Sequence, residues 1–154
     1  MAWRIDDSEV LRTAALGNVY LLAYFRPFSL AVETRMQVDF EAFYRTTSGA
    51  CQLLVSNPYL PFPLPPVEVR AVWREMAASH PRVDGAALVG NGATGLAGAV
   101  FASLVEHIVS PVTRVQMRVC NDPDEAVEWL CRSCATGASP TELAELFDEL
   151  RKSS

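Results

Sequence analysis

The chain has 154 residues, of which half are hydrophobic and a fifth are charged, and its formal net charge is −5. This length and composition suit one globular domain and exclude a disordered chain. The acidic balance, without any run of Lys or Arg, argues against a nucleic-acid-binding surface.

The first residues predict a cytoplasmic protein that begins with a β-hairpin. Residues 1–7 carry acidic side chains where a secretory signal would carry basic and apolar ones, so no signal peptide is expected. Residues 10–16 and 19–25 are predicted strands joined by the turn pair Gly17-Asn18. The second strand is apolar at odd and even positions, which is typical of a central strand covered on both faces.

A helix is predicted from the capping residue Ser29 to about Thr46, followed by a strand at residues 51–55. One apolar stripe with helical spacing is formed by Met36, Phe40, Phe43 and Tyr44. The charged residues are placed off this stripe: Glu33, Arg35, Asp39, Glu41 and Arg45. The first turn, through Val32, could instead extend a strand.

Residues 57–66, here named the proline-rich segment, contain five prolines among large apolar residues. Proline fixes φ and lacks an amide donor, so this segment is excluded from helices and from the interior of a sheet. Two interpretations stay open: a stiff connector folded onto the core, or an exposed surface on which a partner docks.

Alternating helices and strands follow this segment. A second helix is predicted from Pro65 or Pro66 to about Ser79, a fourth strand at 84–90, a third helix at about 93–109 and a fifth strand at 114–120. Asp122 and Pro123 predict the start of a further helix that ends at Gly137. Ser139 and Glu142 form a capping box for a last helix, whose apolar side carries Leu143, Leu146, Phe147 and Leu150.

This order predicts a single α/β domain over residues 1–154. An N-terminal hairpin followed by alternating strands and helices should form a mixed, mostly parallel five-stranded sheet, with an extra C-terminal helix at 139–151. The longest apolar helix is too short to span a bilayer, so no transmembrane segment is expected.

Gly90, Gly92 and Gly95 spell G-x-G-x-x-G after a predicted strand, which is the pattern of a dinucleotide-binding turn. Only one more strand follows, and the nearest candidate for the ribose-binding acid, Asp122, is better explained as a helix cap. A tight turn between strand and helix is therefore favoured. A nucleotide or phosphate site remains the alternative, at Asn91, Gly92, Ala93 and Thr94.

The predicted helix at 94–109 is apolar all round, so its outer face should also be buried. A second copy of the chain, another protein, or a lipid or other apolar ligand could cover it. The residues predicted to bind a partner come from this helix and from the proline-rich segment: Leu96, Val100, Phe101, Leu104, Tyr59, Leu60, Phe62 and Leu64.

No catalytic set, metal site or cofactor is predicted, so the chain is not expected to be an enzyme. Cys131 and Cys134 form a lone C-x-x-C at a predicted helix end, where thiols are not activated. His80 and His107 have no ligand-like spacing to it, and His107 is interpreted as a residue near a helix C-terminus.

Two segments, residues 87–92 (ALVGNG) and 119–130 (VCNDPDEAVEWL), resemble the STAS-like, SpoIIAA-like family, in particular uncharacterised proteobacterial, myxobacterium-type members. The resemblance covers about residues 10–132. It implies a bacterial regulatory domain that binds proteins or, in some relatives, lipid. The phosphorylated turn of anti-sigma-factor antagonists is absent, since residues 56–59 read SNPY.

The expected function is a non-enzymatic regulatory or scaffolding module that binds an unidentified protein and itself, as a homodimer. The alternative is a small-molecule-binding protein. Its ligand would be apolar and lie at the 94–109 helix, or would be a nucleotide or phosphate at the glycine turn.

Overall fold

The computed structural model describes residues 9–60, 64–91, 96, 99–100, 102–103 and 115–152. Its strands are β1 (Leu11–Leu16), β2 (Val19–Tyr24), β3 (Cys51–Ser56), β4 (Val83–Val89) and β5 (Gln116–Cys120). Its helices are α1 (Leu30–Thr46), α2 (Val67–Ser79), α3 (Pro123–Ser133) and α4 (Pro140–Arg151). Residues 96, 99–100 and 102–103 are also helical, and the rest of the predicted 93–109 helix lies outside the described residues.

The strands form one sheet in the order β1-β2-β3-β4-β5. β1 pairs with β2 in antiparallel register through a turn in which Gly17 has a φ of 58°, and every later pair is parallel. Glycine reaches this left-handed conformation at little cost, so it suits the turn. The predicted mixed α/β sheet with an N-terminal hairpin is confirmed.

The sheet is covered on both faces. One apolar cluster joins α1 and α2 to one face, and a second joins α3 and α4 to the other. β2 is buried along its whole length, between the two clusters. Its continuous apolar sequence follows from this double burial, as expected for a central strand.

The helix starts are set by local hydrogen bonds that the sequence predicts. Ser29, Asp122 and Ser139 each accept a backbone N–H from the first turn of α1, α3 and α4, respectively. Each contact satisfies an amide that has no partner inside its helix. Because Ser29 caps α1, the first turn through Val32 is helical rather than an extension of a strand.

The strand ends lie within two residues of their predictions, and the end of α3 differs most from its prediction. α3 ends at Ser133 rather than at Gly137, because Cys134 is extended and its N–H donates to Leu130 O. In the described part of the chain, every helix is too short or too polar to cross a bilayer.

Candidate ligand-binding cavity

A cavity of about 120 Å³ lies between α1, α2 and the sheet. Its floor is a row of side chains, Leu22, Val55 and Leu88, which the parallel register of β2, β3 and β4 aligns across one sheet face. The described residues that complete the lining are mostly apolar: Tyr24, Phe28, Glu33, Met36, Phe40, Leu53, Trp73, Met76, Ala77, Val83, Ala86, Val115 and Met117.

Three aromatic rings form one wall of this cavity. Phe28 contacts Tyr24 edge-on at 4.7 Å between ring centroids, and it contacts Trp73 in the same way at 4.8 Å. Such edge-to-face contacts favour fixed ring orientations. The wall joins the end of β2 to α2 and is therefore a defined surface.

Glu33 is the one ionisable carboxyl group of the described lining, and its side chain is 0% exposed. The indole Nε1–H of Trp73 donates to its Oε2 at 2.9 Å. Its second oxygen, Oε1, has no partner in hydrogen-bond geometry among the residues that the structure describes, although the Tyr24 hydroxyl lies close enough to affect the pKa of the carboxyl group. A buried acceptor without a partner costs about 1–3 kcal/mol.

Burial changes the acid–base properties of this group. Loss of water raises the pKa of Glu33, while the Tyr24 hydroxyl and the Trp73 indole favour the charged carboxylate and act against that rise. Burial, and then the nearby Glu33, raises the pKa of Tyr24 well above its ordinary value, so its hydroxyl stays protonated at neutral pH. The cavity thus combines an apolar surface with one small polar cluster.

The sequence prediction for Glu33 was wrong. It placed the residue off the apolar stripe of α1, whereas the structure buries it with Met36 and Phe40. The spacing contained the signal, because Glu33 precedes these residues by three and seven positions, one and two helical turns. Its charge led to a prediction of exposure.

The proline-rich segment divides between surface and core. Tyr59 and Leu64 are exposed, as a docking surface requires, and Phe62 lies outside the described residues. Leu60 is only 2% exposed, since it packs against the end of β4 at Gly90. Leu60 therefore belongs to the core rather than to the predicted partner surface.

Two of the predicted partner-binding residues of the third helix are described. Leu96 is 83% exposed and Val100 is 46% exposed, although both are large apolar side chains. Phe101 and Leu104 lie outside the described residues, as does His107.

The first glycine of the G-x-G-x-x-G pattern has a packing role. A Cβ atom at Gly90 would lie 2.5 Å from Leu60 Cβ and 3.0 Å from Leu60 O. The absence of a side chain therefore lets the end of β4 approach the segment that follows β3. Asn91 is exposed beside it, whereas Gly92, Ala93 and Thr94 lie outside the described residues.

Cys131 lies in the last turn of α3, Cys134 directly follows the helix, and both thiols are free. Burial raises the pKa of Cys134 to about 11, so this thiol is not a nucleophilic thiolate at neutral pH. No group of three or more metal-ligating His, Cys, Asp or Glu residues is present in the described ranges.

The predicted resemblance to STAS-like proteins rests on residues 87–92 and 119–130. Residues 87–89 are the end of β4, and residues 119–130 join β5 to α3. Comparisons of the chain with protein-family models, with curated proteins and with solved structures gave no match.

Proposed function

We propose that this protein binds, without catalysis, a small apolar molecule that carries one hydrogen-bond-donating group. The observation that supports this function is the unpartnered Oε1 of Glu33, fully buried beside an apolar cavity. A donor on the ligand would satisfy that oxygen, and the apolar part of the ligand would fill the cavity.

The size of the cavity limits the ligand. An apolar cavity of about 150 Å³ accepts benzene, and the present one is about 120 Å³. A molecule near the size of a single ring, or a short branched chain, would therefore fit this space.

The polar cluster limits the chemistry of the ligand. The described lining offers an acidic side chain and no basic one, so an amine is favoured over a carboxylate. A protonated amine would form a charge-assisted hydrogen bond with Glu33, and such bonds are about twice as strong as neutral ones. An alcohol would form the weaker, neutral bond.

Calorimetric titration with benzylamine, benzyl alcohol, toluene and benzoate tests this proposal. We expect benzylamine to bind most tightly and benzoate to bind least. The variant Glu33→Gln should lose about tenfold in affinity for benzylamine, the loss of about 1.4 kcal/mol. It should bind toluene about as well as the native protein does.

A matched pair of variants tests whether the ligand binds in this cavity. Ala77→Leu adds volume at the cavity, whereas Ala78→Leu adds the same side chain at the exposed neighbouring position of α2. Toluene binding should be lost in the first variant and kept in the second. Absence of saturable binding of all four compounds to the native protein would refute the proposal.

A second candidate function, binding of a second copy or of another protein, is supported by the exposure of Leu96 and Val100. They are four residues apart in helical conformation, and such residues share one helix face. With the exposed Tyr59 and Leu64, they would form the apolar surface that a homodimer or a regulatory partner needs. The predicted STAS-like, bacterial and cytoplasmic character fits this candidate.

Sedimentation analysis tests the second candidate. If the chain is a homodimer, Leu96→Glu combined with Val100→Glu should produce monomers. Val38→Glu is the control, because Val38 is an apolar residue of α1 whose exposure, 73%, lies between those of Leu96 and Val100. A native protein that remains monomeric at high micromolar concentration would refute the homodimer.

A further inference from the structure

A second concave site, a cleft of about 210 Å³, lies where β2, β3 and β4 end, beside the last turn of α4. The register places Ala23, Ser56 and Val89 side by side at these strand ends. They alternate with the row Leu22, Val55 and Leu88, so they face the opposite side of the sheet from the cavity. The carboxyl ends of parallel strands are the common position of ligands in open α/β sheets.

Arg151 is the cationic residue of the described cleft lining. Its Nε–H donates to Ser56 Oγ at 3.0 Å, and its guanidinium lies 5.5 Å from the ring centroid of Phe147. No carboxylate of the described chain forms an ion pair with it. Among the described residues, neutral groups therefore hold the guanidinium in place and leave its two terminal nitrogens to an anion.

The other polar groups of the cleft fit the same kind of ligand. Ser56 accepts a hydrogen bond from Arg151 and still has its own hydroxyl proton to donate. The exposed amide of Asn91 supplies further N–H donors. No Asp or Glu is present in the described lining, although the whole chain carries a net charge of −5.

From this arrangement we infer that the cleft binds an oxyanion, the phosphate or carboxylate group of a small molecule, with Arg151 as the principal contact. A guanidinium binds both groups through two parallel N–H donors. The site does not depend on the predicted residues Gly92, Ala93 and Thr94. It is also independent of the cavity, since the two described linings share only Tyr24.

Titration of the intact protein with inorganic phosphate, pyrophosphate and acetate at low ionic strength, followed by NMR of the backbone amides, tests the inference. We expect saturable shifts at Ser56, Gly90 and Asn91. Arg151→Gln should weaken binding about tenfold, because it removes a charge-assisted pair. Arg151→Lys should have an intermediate effect, because the lysine ammonium keeps the positive charge but cannot offer two parallel N–H donors.

Arg132→Gln is the matched control. It removes the same charge from an exposed residue of α3 whose ion-pair partner is Glu128. If it weakens binding as much as Arg151→Gln does, or if no anion causes saturable shifts in the native protein, the inference is wrong. The preferred anion distinguishes a phosphate ligand from a carboxylate ligand.

A second variant, Ser56→Ala, serves if Arg151→Gln fails to fold, because it leaves the guanidinium in place. It is expected to weaken anion binding about threefold, the loss of about 0.7 kcal/mol. Unchanged affinity would overturn the inference.

Discussion

Glu33 and Glu41 lie two helical turns apart on α1, and the fold shifts the pKa values of their carboxyl groups in opposite directions. Burial raises the pKa of Glu33, because its environment disfavours the charged form. A hydrogen bond with His80 is the main cause that lowers the pKa of Glu41. A pKa that differs between the folded and unfolded states makes stability depend on pH. The contributions of the two carboxyl groups to the free energy of unfolding should therefore change with pH in opposite directions.

For Glu33, the raised pKa in the folded state means that ionisation opposes folding. Its contribution is fully favourable below the ordinary pKa of 4.5 and is lost as pH rises through the folded value. We therefore expect Glu33→Gln, which cannot ionise, to gain stability relative to the native protein as pH rises above about 4.5. Urea unfolding between pH 4 and 8 measures the difference in the free energy of unfolding between Glu33→Gln and the native protein. A difference that stays constant over this range would contradict the assignment.

His80 connects the end of α2 to Glu41. Its Nδ1 faces Met76 O at 2.7 Å and its Nε2 faces Glu41 Oε2 at 2.5 Å, so both ring nitrogens contact a hydrogen-bond acceptor. The ring also packs edge-on against Phe40 and Tyr44. His80 is therefore a structural contact between two helices.

Glu41→Gln should destabilise the protein at neutral pH, and the effect should diminish in acid. A lowered pKa contributes stability above the ordinary value of 4.5, and that stability is lost as pH falls through the folded value. Denaturant unfolding at pH 7 and pH 3.5 measures the change. The control Glu145→Gln alters an exposed carboxylate of α4 and should have little effect at either pH. If Glu41→Gln and Glu145→Gln lower the free energy of unfolding equally, the hydrogen bond between Glu41 and His80 has no specific stabilising role.

At the scale of elements, two glycines let neighbours approach β4 closely. A Cβ at Gly85 would lie 2.5 Å from Cys134 Sγ, at the end of α3. A Cβ at Gly90 would meet Leu60, including its backbone oxygen. The first obstacle is one side-chain atom, whereas the second includes the main chain.

Gly85→Ala and Gly90→Ala should each destabilise the protein by about 1–3 kcal/mol, as overpacking does. Adding Cys134→Ala should restore much of the loss at Gly85, because it removes the obstructing sulfur. Adding Leu60→Ala should not restore the stability lost in Gly90→Ala, because the Cβ and the carbonyl oxygen of residue 60 both remain. Guanidinium unfolding of the single and double variants provides the comparison. Full recovery at Gly90 would show that only the side-chain atoms of Leu60 beyond Cβ prevent a larger residue there.

At the scale of the whole molecule, α4 holds the two ends of the described chain together. It packs against β1 and β2, and Leu143, Phe147 and Leu150 are buried in the cluster that covers that sheet face. Arg12 of β1 also donates to the carbonyl oxygen of Lys152, just beyond α4. The C-terminal helix is therefore part of the core and should unfold together with the sheet.

Phe147→Ala should lower the free energy of unfolding by about 3–5 kcal/mol, the usual loss for a buried phenylalanine. Leu146→Ala, at the neighbouring half-buried position, should lower the free energy of unfolding by less. Thermal unfolding followed by far-UV and near-UV circular dichroism measures both. A separate early transition in Phe147→Ala, with the sheet still folded, would show that α4 is an independent unit.

Local sequence determined most of the secondary structure. Apolar periodicity and the caps Ser29, Asp122 and Ser139 act between residues a few positions apart, so the helix starts could be predicted from the sequence. The alternation of strands and helices then predicted the parallel sheet, because short right-handed crossovers restrict the topology. The helix end at Ser133 was missed, since Gly137 was a stronger stop signal than Cys134.

Only the tertiary structure decided which polar side chains could form sites. Glu33 is accommodated in the core because Trp73, 40 residues later, donates to it. Arg151 lies at the cleft because α4 returns to Ser56, 95 residues earlier. Leu60 is buried because Gly90 leaves room for it. These are contacts between distant positions, and a single sequence contains the periodicity of each element but not the distances between elements.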